Sequence, residues 1–253
     1  MTDQPLVHPV LFAGAGPGAA EHLTLGVLHA LAAAEVVIHD RLVGAEVLAL
    51  IPAGARRIDV GKEGFGPSAA QPAINARIVA EAQAGRRVVR LKGGDPGIFG
   101  RLDEEIAALE AAGLAFRILP GLTAASVAAA SLGQSLTSRG RNRGLRILTG
   151  HDMAGFAEQD WRGLARPGEV AAIYMAKAAA RFLQGRLMMH GADPATPVTL
   201  VENVSRREER LHATTLAGLP TAAGLCQGPA VILLGLAPRA AVLALPQLNE
   251  ARA

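Results

Sequence analysis

In the first half of this chain, short apolar runs recur without polar alternation, each followed by a helical stretch. Val10–Ala13, Glu35–His39, Arg57–Val60, Arg87–Leu91 and Phe116–Leu119 read as strands, and Glu21–Ala33, Gln71–Ala84 and Leu102–Ala112 as helices. A strand that lacks alternation is apolar on both faces, and parallel pairing needs a helical crossover between strands. The pattern therefore predicts an α/β fold with mostly parallel sheets covered on both sides. After Pro120-Gly121-Leu122-Thr123 the chain enters an Ala-rich helix ending near Leu132. Residues 137–144 shift to Ser, Arg, Gly and Asn and read as a linker between an N-terminal lobe (1–136) and a C-terminal lobe (145–240). Leu145–Thr149, Val170–Met175, Val198–Val201 and Ala230–Leu234 restart the strands, and the helix Ala178–His190 stops at Gly191 and Pro194. Residues 241–253 read as a tail.

A chain of 253 residues can bury a large core, in one big domain or two small ones. Half of it is hydrophobic but only 3% aromatic, so that core must be built from Ala, Leu, Val and Ile. No apolar stretch approaches the roughly 20 residues of a membrane span; Leu25 to Ile38 is interrupted by His29 and Glu35. The N-terminal residues show no basic region and no cleavage signature, so a cytoplasmic protein is expected. Cys226 is the single cysteine, which excludes an intramolecular disulfide and favours a reducing compartment. The seven histidines contain no H-x-x-x-H pair, and no metal site is expected.

Positive charge is written almost wholly as Arg. It clusters at Arg139, Arg141, Arg143 and Arg146, and again at Arg206, Arg207 and Arg210. Such clusters suit nucleic acid, an acidic small molecule, or simply a solvated loop; the interleaved aromatics of a single-strand binder are absent. Lys62, Lys92 and Lys177 are the only lysines, and the first two sit in glycine-containing turns, which hints at a need for a compact ammonium.

Two loops carry the chemistry. Val88 to Arg101 runs from a strand into Lys92-Gly93-Gly94-Asp95-Pro96, placing bare backbone and a carboxylate at a strand's carboxyl end, where open α/β sheets bind ligands. Gly14-Ala15-Gly16-Pro17-Gly18-Ala19 follows the first strand and fits a loose G-x-G-x-x-A pattern, with Asp40 at the end of the next strand. That arrangement is what a dinucleotide-dependent oxidoreductase would show, although Pro17 brings no N–H to a pyrophosphate; a tight turn without ligand is the plain alternative. Asp40 could accept a proton or orient an N–H, or could cap a helix or pair with Arg41. Glu104 and Glu105 lie in a first helical turn, where they would offset the helix dipole.

Taken in order, these segments resemble the tetrapyrrole methylase family, in the form found in the branch that methylates uroporphyrinogen III. The resemblance is carried by Gly14-Ala15-Gly16-Pro17-Gly18, Asp40-Arg41-Leu42-Val43, Val60-Gly61-Lys62, Arg90 to Pro96, Ile98 to Arg101, Pro120 to Ala125, Thr149-Gly150-His151, Tyr174-Met175, Val201-Glu202-Asn203 and Pro229 to Ile232. It implies a two-lobed fold, a homodimer, and S-adenosylmethionine (SAM) in the inter-lobe cleft. The matching cofactor positions are Pro17, Gly93, Gly94, Asp95, Ile98, Thr123, Ala124, Met175, Ala230 and Ile232. Asp40 and Lys62 match the catalytic positions, and Arg101, Arg139 and Arg141 become clamps for a polycarboxylate substrate rather than for nucleic acid. The implied reaction methylates rings A and B of uroporphyrinogen III to give precorrin-2. The chain departs from the family pattern at Glu63, Gly66, Ser138, Gly140 and Val204, mostly where substrate rather than cofactor is expected.

Overall fold

The apolar runs of the first half pair into one sheet. The structure, a computed structural model, describes residues 8–61, 71–153 and 155–240. They fall into two compact units that divide between Thr123 and Ala124.

The first unit contains β1 (Val10–Gly14), α1 (Leu25–Ala33), β2 (Val36–His39), α2 (Ala45–Ala49), β3 (Arg56–Asp59), α3 (Gln71–Gln83), β4 (Val88–Lys92), α4 (Leu102–Ala111) and β5 (Phe116–Leu119). All five strands are parallel, in the order β3-β2-β4-β1-β5. The pleat sends Ala13, Val37, Val89 and Leu91 toward Val27 and Leu31 of α1 and Val47 of α2. It sends Val10, Phe12, Val36, Ile38 and Val88 the other way, toward Ile74 and Ile78 of α3 and Leu109 of α4. Both faces are thus covered, as strands without alternation require. The helix expected from Glu21 begins instead at Leu25. Thr24 accepts the Val27 N–H as an N-cap, and a 3₁₀ turn, Ala20–His22, precedes it.

The second unit contains α5 (Ala124–Ser131), β6 (Arg146–Thr149), β7 (His151–Asp152), β8 (Gly155–Phe156), α6 (Trp161–Leu164), β9 (Ala171–Tyr174), α7 (Ala180–Met189), β10 (Pro197–Glu202), β11 (Arg210–Thr215), α8 (Leu219–Leu225) and β12 (Ala230–Leu234). Its main sheet, β11-β10-β12-β9-β6, is mixed. Only β6 and β9 run parallel, and the other three pairings are antiparallel. The antiparallel part includes β11, a polar edge strand joined to β10 by a short connection. One face packs on α7 and α8 through Leu183, Leu187, Leu200, Leu219 and Ile232. The other packs on α5 through Ala125, Val127 and Ala128, which is why the units divide ahead of the segment 137–144.

No helix among the described residues is long and apolar enough to cross a membrane.

Candidate functional site

Three loops leave the carboxyl ends of β1, β4 and β5, and they touch. A Cβ on Gly14 would lie 2.5 Å from Gly121 Cα, and one on Gly121 would lie 2.3 Å from the Gly94 carbonyl oxygen, so only glycine fits this crossing. Gly16 and Gly94 exchange two backbone hydrogen bonds, of 3.1 and 2.8 Å. Asp95 joins the remaining pieces: one carboxylate oxygen accepts the Gly97 N–H at 2.8 Å and the other the Gly121 N–H at 2.9 Å. Gly94 has φ +71°, and a Cβ there would enter open space. The loop therefore presents bare backbone beside a carboxylate, the kind of cradle that admits a ligand where a side chain would block it. Pro17, Gly93, Gly94, Asp95, Ile98 and Thr123 all belong to this first unit and lie on these loops.

Asp40 follows β2 and is half-buried, with 34% of its side chain exposed. The sequence allowed a pairing with Arg41; its ion pair is instead with Arg90 of β4, whose Nη2 donates at 2.5 Å. Arg90 is 2% exposed and also donates through Nε and Nη2 to Glu105 Oε1, at 3.1 and 2.9 Å. Lys92, two residues on and hence on the same face of β4, donates to Glu105 Oε2 at 2.9 Å. Burial of Lys92 and the charge of Arg90 push its ammonium below the usual lysine range, against the pull of Glu105 and Asp40. For Arg90, burial works against the charge, but Asp40 and Glu105 outweigh it and hold the guanidinium above its ordinary value. Glu105 is thus no dipole compensator. It is a buried counter-ion for two cations, further tied to Gln71 of α3 at 3.3 Å. The signal for it was present in the sequence: cations at positions 90 and 92 on one face of an apolar strand demand a buried anion.

The strand order also removes the dinucleotide alternative. In that fold the first two strands are neighbours, so the acid after the second stands beside the glycine turn of the first. Here β4 lies between β1 and β2. Asp40 is displaced from the Gly14–Gly18 turn by two strand spacings, roughly 9–10 Å.

Other expected residues are placed as follows. Arg101 has φ +53° and is exposed; its guanidinium forms a two-pronged pair with Glu104, at 2.7 Å on each prong. Arg141 donates to the Ser135 carbonyl at 2.6 Å and to Asn142 Oδ1 at 3.1 Å, and the exposed Arg139 lies in the same turn. In the second unit Met175 follows β9 with φ +52°, and its carbonyl lies 2.8 Å from His151 Nδ1. Ala124 begins α5, whose Ala125 N–H is accepted by the Tyr174 hydroxyl at 2.8 Å. Ala230 is half-buried, whereas Ile232 is 1% exposed with its side chain in the core. Val204 is buried too, against Val201 and Val231. Lys62, Glu63 and Gly66 lie outside the described residues.

Comparison with known proteins gives this geometry a context. A siroheme synthase of Edwardsiella ictaluri is 44% identical over 226 residues, which is 89% of this chain and 49% of that protein. Siroheme synthase 1 of Aeromonas hydrophila gives the same figures. The chain spans about half the length of these relatives. Among solved structures, uroporphyrin-III C-methyltransferase of Thermus thermophilus in complex with S-adenosylhomocysteine superposes with a TM-score of 0.77 at 34% identity, covering 90% of this chain and 97% of that one. A cobalt-precorrin-4 methyltransferase shares the fold, with a TM-score of 0.80 at 24% identity over 90% of this chain and 94% of that one. Residues 9–220 match the model of the tetrapyrrole (corrin/porphyrin) methylases, and the chain belongs to that family.

Proposed function

We propose that this protein is a SAM-dependent C-methyltransferase that methylates uroporphyrinogen III on rings A and B to give precorrin-2, working as a homodimer. The observation that carries the cofactor reading is the glycine crossing at Gly14, Gly94 and Gly121 with its Asp95 strut, since it leaves a bare backbone edge on the carboxyl side of the sheet. The family match and the S-adenosylhomocysteine held by the Thermus thermophilus enzyme support it.

When bound, the cofactor supplies an electrophilic methyl group on a sulfonium with a good leaving group. A reduced tetrapyrrole supplies an enamine-like ring carbon, so holding the two in line, away from water, accounts for much of the rate. On this reading Gly93, Gly94 and Asp95 orient the cofactor through backbone and carboxylate. Asp40 takes the proton shed by the methylated macrocycle or aligns its pyrrole N–H groups. Arg90 fixes the Asp40 carboxylate in one orientation, and Arg101, Arg139 and Arg141 engage substrate carboxylates. A second reading, methylation of another tetrapyrrole, is favoured by the departures at Ser138 and Gly140 beside those arginines.

Anaerobic incubation with labelled SAM and uroporphyrinogen III tests both. Gain of two methyl groups by mass, with the absorbance of precorrin-2, is the expected result. SAM binding with no methyl gain on uroporphyrinogen III would transfer the assignment to another tetrapyrrole. Asp40→Asn is expected to lower turnover while SAM affinity stays within about a few fold, because Asp40 lies off the cofactor loops.

A further inference from the structure

Glu202, His212 and Cys226 share no sequence spacing that would announce a site, but the second sheet collects them. Antiparallel pairing of β10 and β11 sets His212 opposite Leu200. The pleat then puts Glu202, two residues after Leu200, on that same face. Cys226 is the C-cap residue of α8, which packs on this face. A carboxylate oxygen of Glu202, a ring nitrogen of His212 and Cys226 Sγ all lie within 4.8 Å of one another. Glu202 and Cys226 are buried, at 2% and 6% exposure, and His212 is half-buried.

We propose that these three side chains form a binding site for a divalent cation of the zinc type. The donor set, one thiolate, one imidazole and one carboxylate, suits a borderline-soft ion rather than Mg²⁺ or Ca²⁺. Ordinary zinc bond lengths at tetrahedral angles place an imidazole nitrogen and a carboxylate oxygen about 3.3 Å apart. His212 Nε2 and Glu202 Oε2 stand at 3.1 Å. The same geometry puts the sulfur about 3.6 Å from either, so Sγ, within 4.8 Å now, has at most about 1.2 Å to close.

The surroundings already hold the ligands. The other Glu202 oxygen accepts the N–H groups of Gln227, at 2.6 Å, and of Gly228, fixing the carboxylate as outer hydrogen bonds fix metal ligands elsewhere. Lys177 donates to the carbonyls of Cys226, Gln227 and Gly228 at 3.1–3.2 Å, which clamps the loop next to the thiol. Its charge opposes a cation nearby, and the two negative ligands outweigh it.

Binding is balanced without redox chemistry. The thiol loses its proton to solvent as sulfur bonds the ion, the proton that His212 Nε2 shares with Glu202 Oε2 leaves that nitrogen by exchange with solvent, and thiolate plus carboxylate cancel the charge of a divalent ion. The thiol donates to the Ala222 carbonyl at 3.5 Å, and burial and Glu202 push its proton affinity up.

The 253-residue chain, stripped with a chelator, would be titrated with Co²⁺ and then Zn²⁺. Cys226 is the only cysteine, so a thiolate-to-cobalt charge-transfer band reports on it alone. The band is expected to saturate at one equivalent, to be absent in Cys226→Ser and to need roughly tenfold more cobalt in His212→Gln. Zn²⁺ should quench it and raise the Tm of the wild type but not that of Cys226→Ser. No band in the wild type overturns the site, and so does a His212→Gln titration that matches the wild type.

Discussion

Glu105 shows how one residue can set the chemistry around a site that it does not line. Its side chain is fully buried and answers two cations, and one of these, Arg90, reaches on to Asp40. Glu105→Gln leaves Arg90 and Lys92 as like charges buried side by side. Breaking such a network is expected to cost about 3–5 kcal/mol in urea denaturation, because the remaining charges cannot rehydrate. Arg101→Gln removes a pair of which both members are exposed, and should leave the urea midpoint nearly unchanged. Equal losses for the two variants would mean that Glu105 is not the counter-ion the geometry makes it. Helical position alone makes Glu105 a dipole compensator in a first turn, because it does not say which way a carboxylate faces. The partner strand does, once Arg90 and Lys92 are seen to share a face.

At the scale of elements, the loop after β4 concentrates the constraint. Gly94→Val imposes a β-branched side chain at φ +71° and fills the open face of the cradle. Binding of a SAM analogue, followed by calorimetry, is expected to disappear while far-ultraviolet dichroism shows the fold retained. Binding kept near the wild-type affinity would move the cofactor off this loop. Gly93-Gly94-Asp95 was legible because glycine pairs and an acid at a strand end have few other uses. The inner strands of the first sheet were legible for a similar reason: β1, β2 and β4, buried on both faces, cannot hide among polar residues. The second sheet was less so. Arg210-Leu211-His212-Ala213-Thr214-Thr215 forms an edge strand, half solvated and polar, and that composition mimics a basic loop. With β11 unread, the antiparallel order around β10 was out of reach, and so was the meeting of Glu202, His212 and Cys226.

At the scale of the molecule, the four hydrophobic clusters among the described residues each lie within one unit. Two are drawn wholly from residues 8–123 and two from 124–240. Each unit therefore has its own core, which is the physical condition for folding alone. The parallel sheet of the first unit gains its covering from helices inside the same unit, and the buried Arg90–Glu105–Lys92 group is also internal to it. A fragment of residues 1–123 is expected to unfold in one cooperative transition in urea. Its slope should be about half that of the whole chain, because slope follows the surface exposed on unfolding and the fragment holds about half the residues. In the fragment, Glu105→Gln should lower the midpoint as it does in the full protein, since every partner of Glu105 is present. A broad, non-cooperative transition would show that the first sheet depends on the second unit for its packing. A normal transition that no longer responds to Glu105→Gln would show that the buried charge network needs that unit to form.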